Sequence, residues 1–287
     1  MAKKVGYLGP NGTFSELAAR RYRERLAGEV ELVALASIYE VLAAVGEGRV
    51  DEGVVPLENF SEGSVGVVQD LLAHSFKDLR LCGEVVLPVA HCLLAPPGVG
   101  LGQVTRVLSH PQALAQCREF LSRHLPGAEL VETASTAAAA EAVASAGAPW
   151  AAIGPLETAG KYGLAVLAER INDFVHNATR FVVVGREEGP YALPAKTSLI
   201  LSLPHRPGAL YEALGEFACR GINLTRIESR PSRRRLGEYL FFIDFEGHRQ
   251  DEKVREALEA LSARAEVRLL GSYPSSSLPF GSLSPIL

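Results

Sequence analysis

The sequence predicts an α/β protein made of two α/β lobes joined by two crossing segments, with a smaller β-α-β-β-α-β unit behind them. Three observations carry that prediction. A β-α-β-α-β rhythm runs through residues 3–55 and again through 104–153. The stretch from Gly185 to Pro194 has the glycine, proline and charge of a linker. Beyond it, residues 197–271 change to the ferredoxin-like order β-α-β-β-α-β. The chain has 287 residues, and at roughly 150 residues per domain that suits about two domains.

Each element has a local reason. Residues 3–9 are a short apolar strand, followed by a Pro-Asn-Gly turn. Thr13-Phe-Ser-Glu16 is a capping box that opens a helix running to about Leu26, where Gly28 stops it. A strand at 30–35 leads to a second capping box, Ser37-Ile-Tyr-Glu40, and a helix ending near Gly46–Gly48. Val54–Val55 is a third strand, ended by Pro56. Apolar strands follow at 81–88 and 90–95, then a turn at 96–102. The second lobe reads as strand 104–108, helix 111–124, strand 129–132, an alanine-rich helix 136–146 and strand 150–153. A short helix, a strand at 164–167 and a final strand at 181–184 follow. The returning segment 165–185 is expected to complete the first lobe. The predicted boundaries are therefore 1–185 for the bilobal region, 186–196 for the linker and 197–273 for the small domain. Residues 274–287, rich in Ser and Pro, are expected to form a mobile tail.

Composition excludes several classes. Hydrophobic residues are 47% and charged residues 22%, which is globular usage and not a disordered chain. A formal net charge of −4 argues against a surface devoted to nucleic acid. The start, Met-Ala-Lys-Lys-Val, lacks the apolar core of a signal peptide. No stretch approaches the ~18 apolar residues of a membrane span, so no membrane partner is expected. Cys82, Cys92, Cys117 and Cys219 are scattered, with no zinc spacing. They are expected to be reduced, buried thiols of a cytoplasmic protein, and no metal site is expected.

Five motifs gather polar residues at element junctions. Gly6-Tyr-Leu-Gly9-Pro-Asn-Gly12-Thr13-Phe14-Ser15 ends a strand and opens a helix, where free amides and the helix dipole favour an anion. The alternative is a plain βα turn. Pro56-Leu-Glu58-Asn59-Phe60-Ser61-Glu62 lies at the carboxyl end of a strand, where open α/β sheets bind ligands. The alternative is a solvated loop. Ser109-His110-Pro111-Gln112 opens a helix, and Ser-x-x-Gln can also be a capping box. His110 is a candidate acid or base. Asn172-Asp173-Phe-Val-His176-Asn177-Ala-Thr179-Arg180-Phe181 crowds polar groups against an apolar strand, with Arg180 a candidate carboxylate clamp or an ordinary salt-bridge partner. In the small domain, Gly208-Ala209-Leu210 starts a helix with room for close approach. Asn223-Leu224 and Glu228-Ser229-Arg230-Pro231 lie on the strand that follows.

In this order and at these separations, the first four motifs resemble those of the prephenate dehydratase family. Gly208-Ala209-Leu210 and Glu228-Ser229-Arg230-Pro231 resemble the two motifs of its ACT regulatory domain. The resemblance spans residues 3–273 and departs at Phe60, where the family usually has Ser or Thr. With no chorismate-mutase helices ahead of it, the chain resembles the monofunctional form.

The resemblance implies a bilobal, periplasmic-binding-protein-like catalytic region and a ferredoxin-like ACT domain. It implies loss of the ring carboxylate as CO2 and of the para hydroxyl as water, giving phenylpyruvate. Aromatisation drives the reaction, and no cofactor is implied. Thr179, Arg180, Glu58, Asn59 and Ser109 are the implied catalytic residues. Thr13, Phe14, Ser15, Gln112 and Phe181 are the implied substrate contacts. A threonine hydroxyl is too weak an acid to supply a proton alone, so Thr179 is expected to donate to the departing oxygen, with Glu58 or water as relay. Arg180 and the amides and hydroxyls near Thr13–Ser15 and Ser109 are expected to hold the carboxylates. L-Phenylalanine is the implied effector, held between two copies of the chain by Gly208, Ala209, Leu210, Asn223, Leu224, Glu228 and Ser229. A homodimer or homotetramer follows. Removal of 197–287 is expected to abolish inhibition and spare turnover, provided the catalytic region stays soluble. The alternatives are arogenate dehydratase and a non-catalytic bilobal sensor.

Overall fold

The structure is a computed structural model, which describes residues 2–174 and 177–276. The first lobe begins with β1 (Lys3–Leu8), α1 (Phe14–Arg23), β2 (Val30–Leu35) and α2 (Ile38–Gly46). It continues with β3 (Glu52–Asn59), β4 (Gly63–Ser64), α3 (Gly66–His74) and β5 (Arg80–Pro88). The second lobe holds β6 (Cys92–Ala95), β7 (Arg106–Ser109), α4 (Pro111–Gln116), α5 (Arg118–His124) and β8 (Glu129–Glu132). It closes with α6 (Thr136–Ser145), β9 (Trp150–Gly154), α7 (Leu156–Tyr162) and β10 (Ala165–Ala168). The chain then returns as β11 (Ala178–Gly185). The C-terminal domain is β12 (Ala195–Ser202), α8 (Ala209–Ala218), β13 (Leu224–Pro231), β14 (Tyr239–Glu246), α9 (Glu252–Ser262) and β15 (Glu266–Pro274).

Each unit has its own sheet. The orders are β2-β1-β3-β11-β5 with β4 against β3, β10-β6-β9-β7-β8, and β13-β14-β12-β15. β1 pairs in parallel with β2 and β3, while β11 runs antiparallel between β3 and β5. Two helix starts follow from their capping residues. Thr13 Oγ1 accepts from the Glu16 amide at 3.4 Å, and Ser37 Oγ from the Glu40 amide at 3.1 Å.

Five expectations need correction. The strand at 164–167 does not join the first lobe: β10 pairs with β6, and only β11 returns. β3 does not stop at Pro56 but runs on to Asn59. A β-bulge tolerates the proline there. Glu58 pairs with Arg180 and Pro56 with Phe181, which leaves Leu57 as the extra residue. The predicted 111–124 helix breaks at Cys117 into α4 and α5. Residues 274–276 are anchored rather than mobile. The Ser275 amide donates to the Pro194 carbonyl at 2.8 Å and the Ser276 amide to Glu84 at 2.9 Å. The rest of the predicted tail, 277–287, lies outside the described residues. Cys219 is also exposed, whereas Cys82, Cys92 and Cys117 are buried and unpaired.

The C-terminal sheet has two covered faces. One carries Leu199, Leu201, Ile243 and Phe245 against Phe217, Val254 and Leu261 of α8 and α9. The other packs on the first lobe, where Ile200, Leu240, Phe242, Leu270 and Tyr273 join one apolar cluster with Val55, Leu57, Leu72, Leu81 and Val182. Contact is close enough that a Cβ on Gly271 would fall 2.0 Å from the Leu81 carbonyl oxygen. Removing 197–287 would expose that shared core to water, so the domain is not a detachable module.

Candidate active site

The bulge at Leu57 decides which side chains meet. A strand sends successive side chains to opposite faces. On β11, Thr179 and Phe181 turn to one face and Arg180 to the other. On β3 the extra residue resets the alternation, so Pro56 and Asn59, three apart, both turn to the face of Thr179. These four residues line a cleft of about 360 Å³ between the lobes. Thr13, Phe14 and Ser15 of α1 line it from the first lobe, and His110, Gln112, Ala113 and Gln116 of α4 from the second. Ser135 and Thr136 at the start of α6, and His91 on the first crossing segment, complete it. A wider opening of about 760 Å³ lies behind the first lobe near Tyr22, Glu52 and the linker, and none of the motif residues line it.

Asn59 fixes the polarity of Thr179. Its Oδ1 accepts from the Ser61 amide at 3.0 Å and the Ser61 hydroxyl at 2.7 Å. Its amide nitrogen must therefore face the other way, and Nδ2 donates to Thr179 Oγ1 at 2.8 Å. With its oxygen accepting from Asn59, the Thr179 hydroxyl keeps its proton for a ligand. Phe60, where the resemblance departs, is 71% exposed and points away, while Ser61 supplies the neighbouring hydroxyl.

Among the described residues, no lysine or arginine lines the cleft. Its positive character comes from helix ends. Thr13 caps α1 through the Glu16 amide, and Ser135 caps α6 through the Ala138 amide at 3.0 Å. The amides of Phe14 and Ser15, and those of Thr136 and Ala137, have no acceptor among the described residues. Each helix carries roughly +0.5 of a charge at that end. One such seat belongs to each lobe.

Three residues expected in the cleft are elsewhere. Arg180 and Glu58 lie on the back of the same strands. Arg180 Nη1 donates to Glu58 at 2.9 Å and to Asp244 at 2.7 Å, and its Nη2 donates to the Tyr273 hydroxyl at 3.0 Å. Its Nε stands 2.8 Å from Glu84. Arg180 is thus the salt-bridge partner rather than a clamp, and Glu58 is not a proton relay into the cleft. Ser109 is fully buried and donates to the Ile153 carbonyl at 2.7 Å, which leaves no hydroxyl for a ligand. The cap of α4 is instead His110, whose Nδ1 accepts from the Gln112 amide at 3.3 Å. His176 lies outside the described residues.

The sequence reading missed a polar chain across the cleft. Gln116 Nε2 donates to Ser61 at 3.2 Å and to Glu62 at 2.8 Å, which ties the lobes together. Gln116 Oε1 accepts from Asn177 at 3.1 Å and meets His91 Nε2 at 3.0 Å. The carbonyl partner makes Nε2 the protonated nitrogen of His91. Burial pushes that imidazole down to about 4, against the smaller upward pull of Gln116. The signal available in the sequence was position alone, since His91 stands on a crossing segment and Gln116 at a helix end. Two further hydrogen bonds join the lobes, from Thr158 to the Gly12 carbonyl at 3.2 Å and from Lys161 to the Asn11 carbonyl at 2.6 Å.

The small-domain motifs divide in the same way. Gly208, with φ +81°, caps α8, while Ala209 is buried. Leu210 is half-buried, Asn223 and Ser229 are exposed, and Leu224 packs on the domain core. Asn223 donates to Glu246 at 3.1 Å. Glu228 faces the first lobe, bonded to Ser64 and Arg226, and is not free for an effector. Gly208 caps the start of α8 and Asn223 follows its end, with a helix about 15 Å long at 1.5 Å per residue between them.

Among the described residues, no group of His, Cys, Asp and Glu is arranged to hold a metal ion, and no helix is long and apolar enough to cross a membrane. The prephenate dehydratase family model matches residues 5–189 and the ACT domain model residues 197–263. A prephenate dehydratase of Mycobacteroides abscessus is 45% identical over 99% of this chain and 94% of its own length. One of Methanocaldococcus jannaschii is 43% identical over 96% and 99%. The crystal structure of the Arthrobacter aurescens prephenate dehydratase in complex with L-Phe aligns with a TM-score of 0.85, at 38% identity over 95% of this chain and 90% of that one. A protein described as a novel type of quorum quenching acylase aligns at 0.83, with 32% identity over 96% and 98%. The chain belongs to the prephenate dehydratase family and carries that family's C-terminal ACT domain.

Proposed function

We propose that the interlobe cleft turns prephenate into phenylpyruvate with Thr179 as the donor to the departing hydroxyl. The observation that carries this reading is the bond from Asn59 to Thr179, which leaves the threonine proton free. The two seats of unpaired amides, at α1 and α6, suit the two carboxylates of the substrate. The bond to the ring carboxylate breaks and CO2 leaves. Its electron pair enters the ring, and the para C–O bond breaks. The hydroxide so formed takes one proton, ultimately from solvent, and departs as water. Phe14 and Phe181 supply apolar walls for the ring as it becomes aromatic. Neutral His91 adds no charge to the cleft at neutral pH.

The same pocket favours this reading over amide hydrolysis, the chemistry suggested by the acylase neighbour. None of the hydroxyls lining the cleft has a histidine or carboxylate partner among the described residues to activate it as a nucleophile. Feedback by L-phenylalanine is part of the reading, supported by the L-Phe complex of the Arthrobacter relative. Its pocket would use Gly208, Ala209 and Leu210 of one copy with Asn223, Leu224 and Ser229 of another, in a cytoplasmic homodimer or homotetramer.

The test is one assay on the full chain at neutral pH. Phenylpyruvate should form from prephenate, faster than phenylalanine forms from arogenate, and millimolar phenylalanine should slow it. A chain that binds prephenate but leaves it unchanged would be a sensor, and a preference for arogenate would move the substrate assignment.

A further inference from the structure

We propose that Arg180 is a positioning residue for Thr179, and that its alignment is completed by Asp244 of the ACT domain, so that the cleft reads the placement of that domain. The inference rests on the dehydratase reading above and adds to it the route by which the two parts communicate.

Two guanidiniums and two carboxylates close a ring across the domain boundary. The first lobe supplies Arg180 and Glu58, and the ACT domain supplies Arg226 and Asp244. Glu58 meets Arg180 at 2.9 Å through one oxygen and Arg226 at 3.1 Å through the other. Asp244 Oδ2 meets Arg180 at 2.7 Å and Arg226 at 3.9 Å. The Arg180, Arg226 and Asp244 side chains are each no more than 8% exposed. Burial pushes the Asp244 carboxyl up, and Arg180 with Arg226 more than reverse the effect, so it stays ionised below the ordinary range. Charges buried this deeply hold their geometry, because a departing partner leaves the other uncompensated.

The ring is placed to move Thr179. The peptide of Arg180 sits between Thr179 and Phe181, which line the cleft from the opposite face. On the β3 side the ladder is broken by the bulge between Arg180 and Phe181. The β5 ladder, unbroken from Ala178 to Val183, holds the backbone at that step, and the anchored guanidinium adds to it in setting the direction of its neighbours. Thr179 must in turn hold its bond from Asn59. On the ACT side, Arg226 lies on β13, the strand whose outer residues include the exposed Ser229. A shift of β13 changes the Arg226–Glu58 contact and with it the company of Arg180.

The experiment uses full-length Asp244→Asn, which keeps size and removes charge, with kcat, KM, circular dichroism and phenylalanine binding measured together. The expected result is a native spectrum, kcat lowered about tenfold with KM nearly unchanged, and phenylalanine still bound but altering the rate less. Asp244→Glu should recover part of kcat. A folded Asp244→Asn with parental kcat overturns the proposal. If Asp244→Asn fails to fold, Tyr273→Phe decides, since it keeps the ring and removes the hydroxyl that accepts from Arg180 and also bonds Ser198. A kcat drop of about threefold at constant KM supports the inference, and parental kcat overturns it. Failure of the parent protein to turn over prephenate would instead overturn the functional reading, which the same assay reports separately.

Discussion

The two faces of the β3–β11 pair carry different chemistry from adjacent residues. The cleft face presents Pro56, Asn59, Thr179 and Phe181, all neutral. The back face presents Glu58 and Arg180, both charged and both ion-paired. A buried charge is tolerable only with its partner, and such partners are found where a second domain closes over the sheet. The cleft has to admit a small dianion and release a product. It does so with helix ends and hydroxyls, which need no counter-ion when the site is empty. Charged residues in a motif therefore do not always mark the reacting centre. Here they mark the joint behind it.

Three measurements would break or sharpen the contrast. The largest expected effect is on the back face. Arg180→Ala should lower the unfolding free energy by about 3 kcal/mol, because it takes the shared cation from Glu58, Glu84 and Asp244 and leaves them only Arg226 and Lys196. Urea titration would show it. Near-parental stability with weakened prephenate binding would return Arg180 to the role of substrate clamp.

The next effect belongs to the neutral face and appears in the pH dependence of stability. His91 has a folded value of about 4 against 6.5 for an unperturbed histidine. The unfolded chain therefore takes the proton first. The stability that depends on neutral His91 is complete above pH ~6.5 and is lost as pH falls toward 4. The loss should be on the order of 3 kcal/mol. His91→Gln should flatten that limb of the unfolding free energy against pH, and an unchanged slope would mean that the imidazole is charged in the folded state.

The smallest expected effect in free energy is the most telling for catalysis. Thr179→Ala should lower kcat by about 10²-fold with little change in KM, as loss of an oriented donor does. Its stability should stay close to parental, since the side chain is not part of the ion network. Normal turnover would remove the threonine from the reaction.

Much of this architecture was legible in the sequence because its causes are local. Thr13 and Ser37 announce helix starts by the amides they accept, and the β-α alternation up to Trp150 follows from short apolar runs between caps. The motif residues Asn59, Gln112, Thr179 and Phe181 do line one cleft. The side to which Arg180 and Glu58 turn was not legible. It follows from their places beside Asn59 and Thr179 on paired strands, and the register of that pairing, with Leu57 as its bulged residue, has no composition signal. Ser109 was expected to meet the substrate, with a capping box as the alternative, and it does neither: its hydroxyl goes to the Ile153 carbonyl, and with proline at 111 the cap of α4 is His110. Gln116 and His91 carry no motif at all. They become visible only when two lobes, distant in sequence, bring their amides and imidazole together.

The shared core between the first lobe and the ACT domain has a consequence for the order in which this protein is made. The second lobe is one unbroken stretch, β6 to β10, and has its full sheet by Ala168. The first lobe begins earlier but finishes later, since β3 and β5 are joined only when β11 arrives. Its back then stays bare until β12, β14 and β15 have been synthesised, the last of them ending at Pro274. On a ribosome that emits the N-terminus first, the part begun first is therefore the last to be sealed. A nascent chain halted shortly after β11 would hold a finished second lobe beside a first lobe with its apolar back and the Glu58–Arg180–Glu84 ion cluster open to water. Chaperones and proteases recognise surfaces of that kind. For this polypeptide, the first lobe is sealed only once β15 has emerged, and a premature stop ahead of it silences residues translated long before.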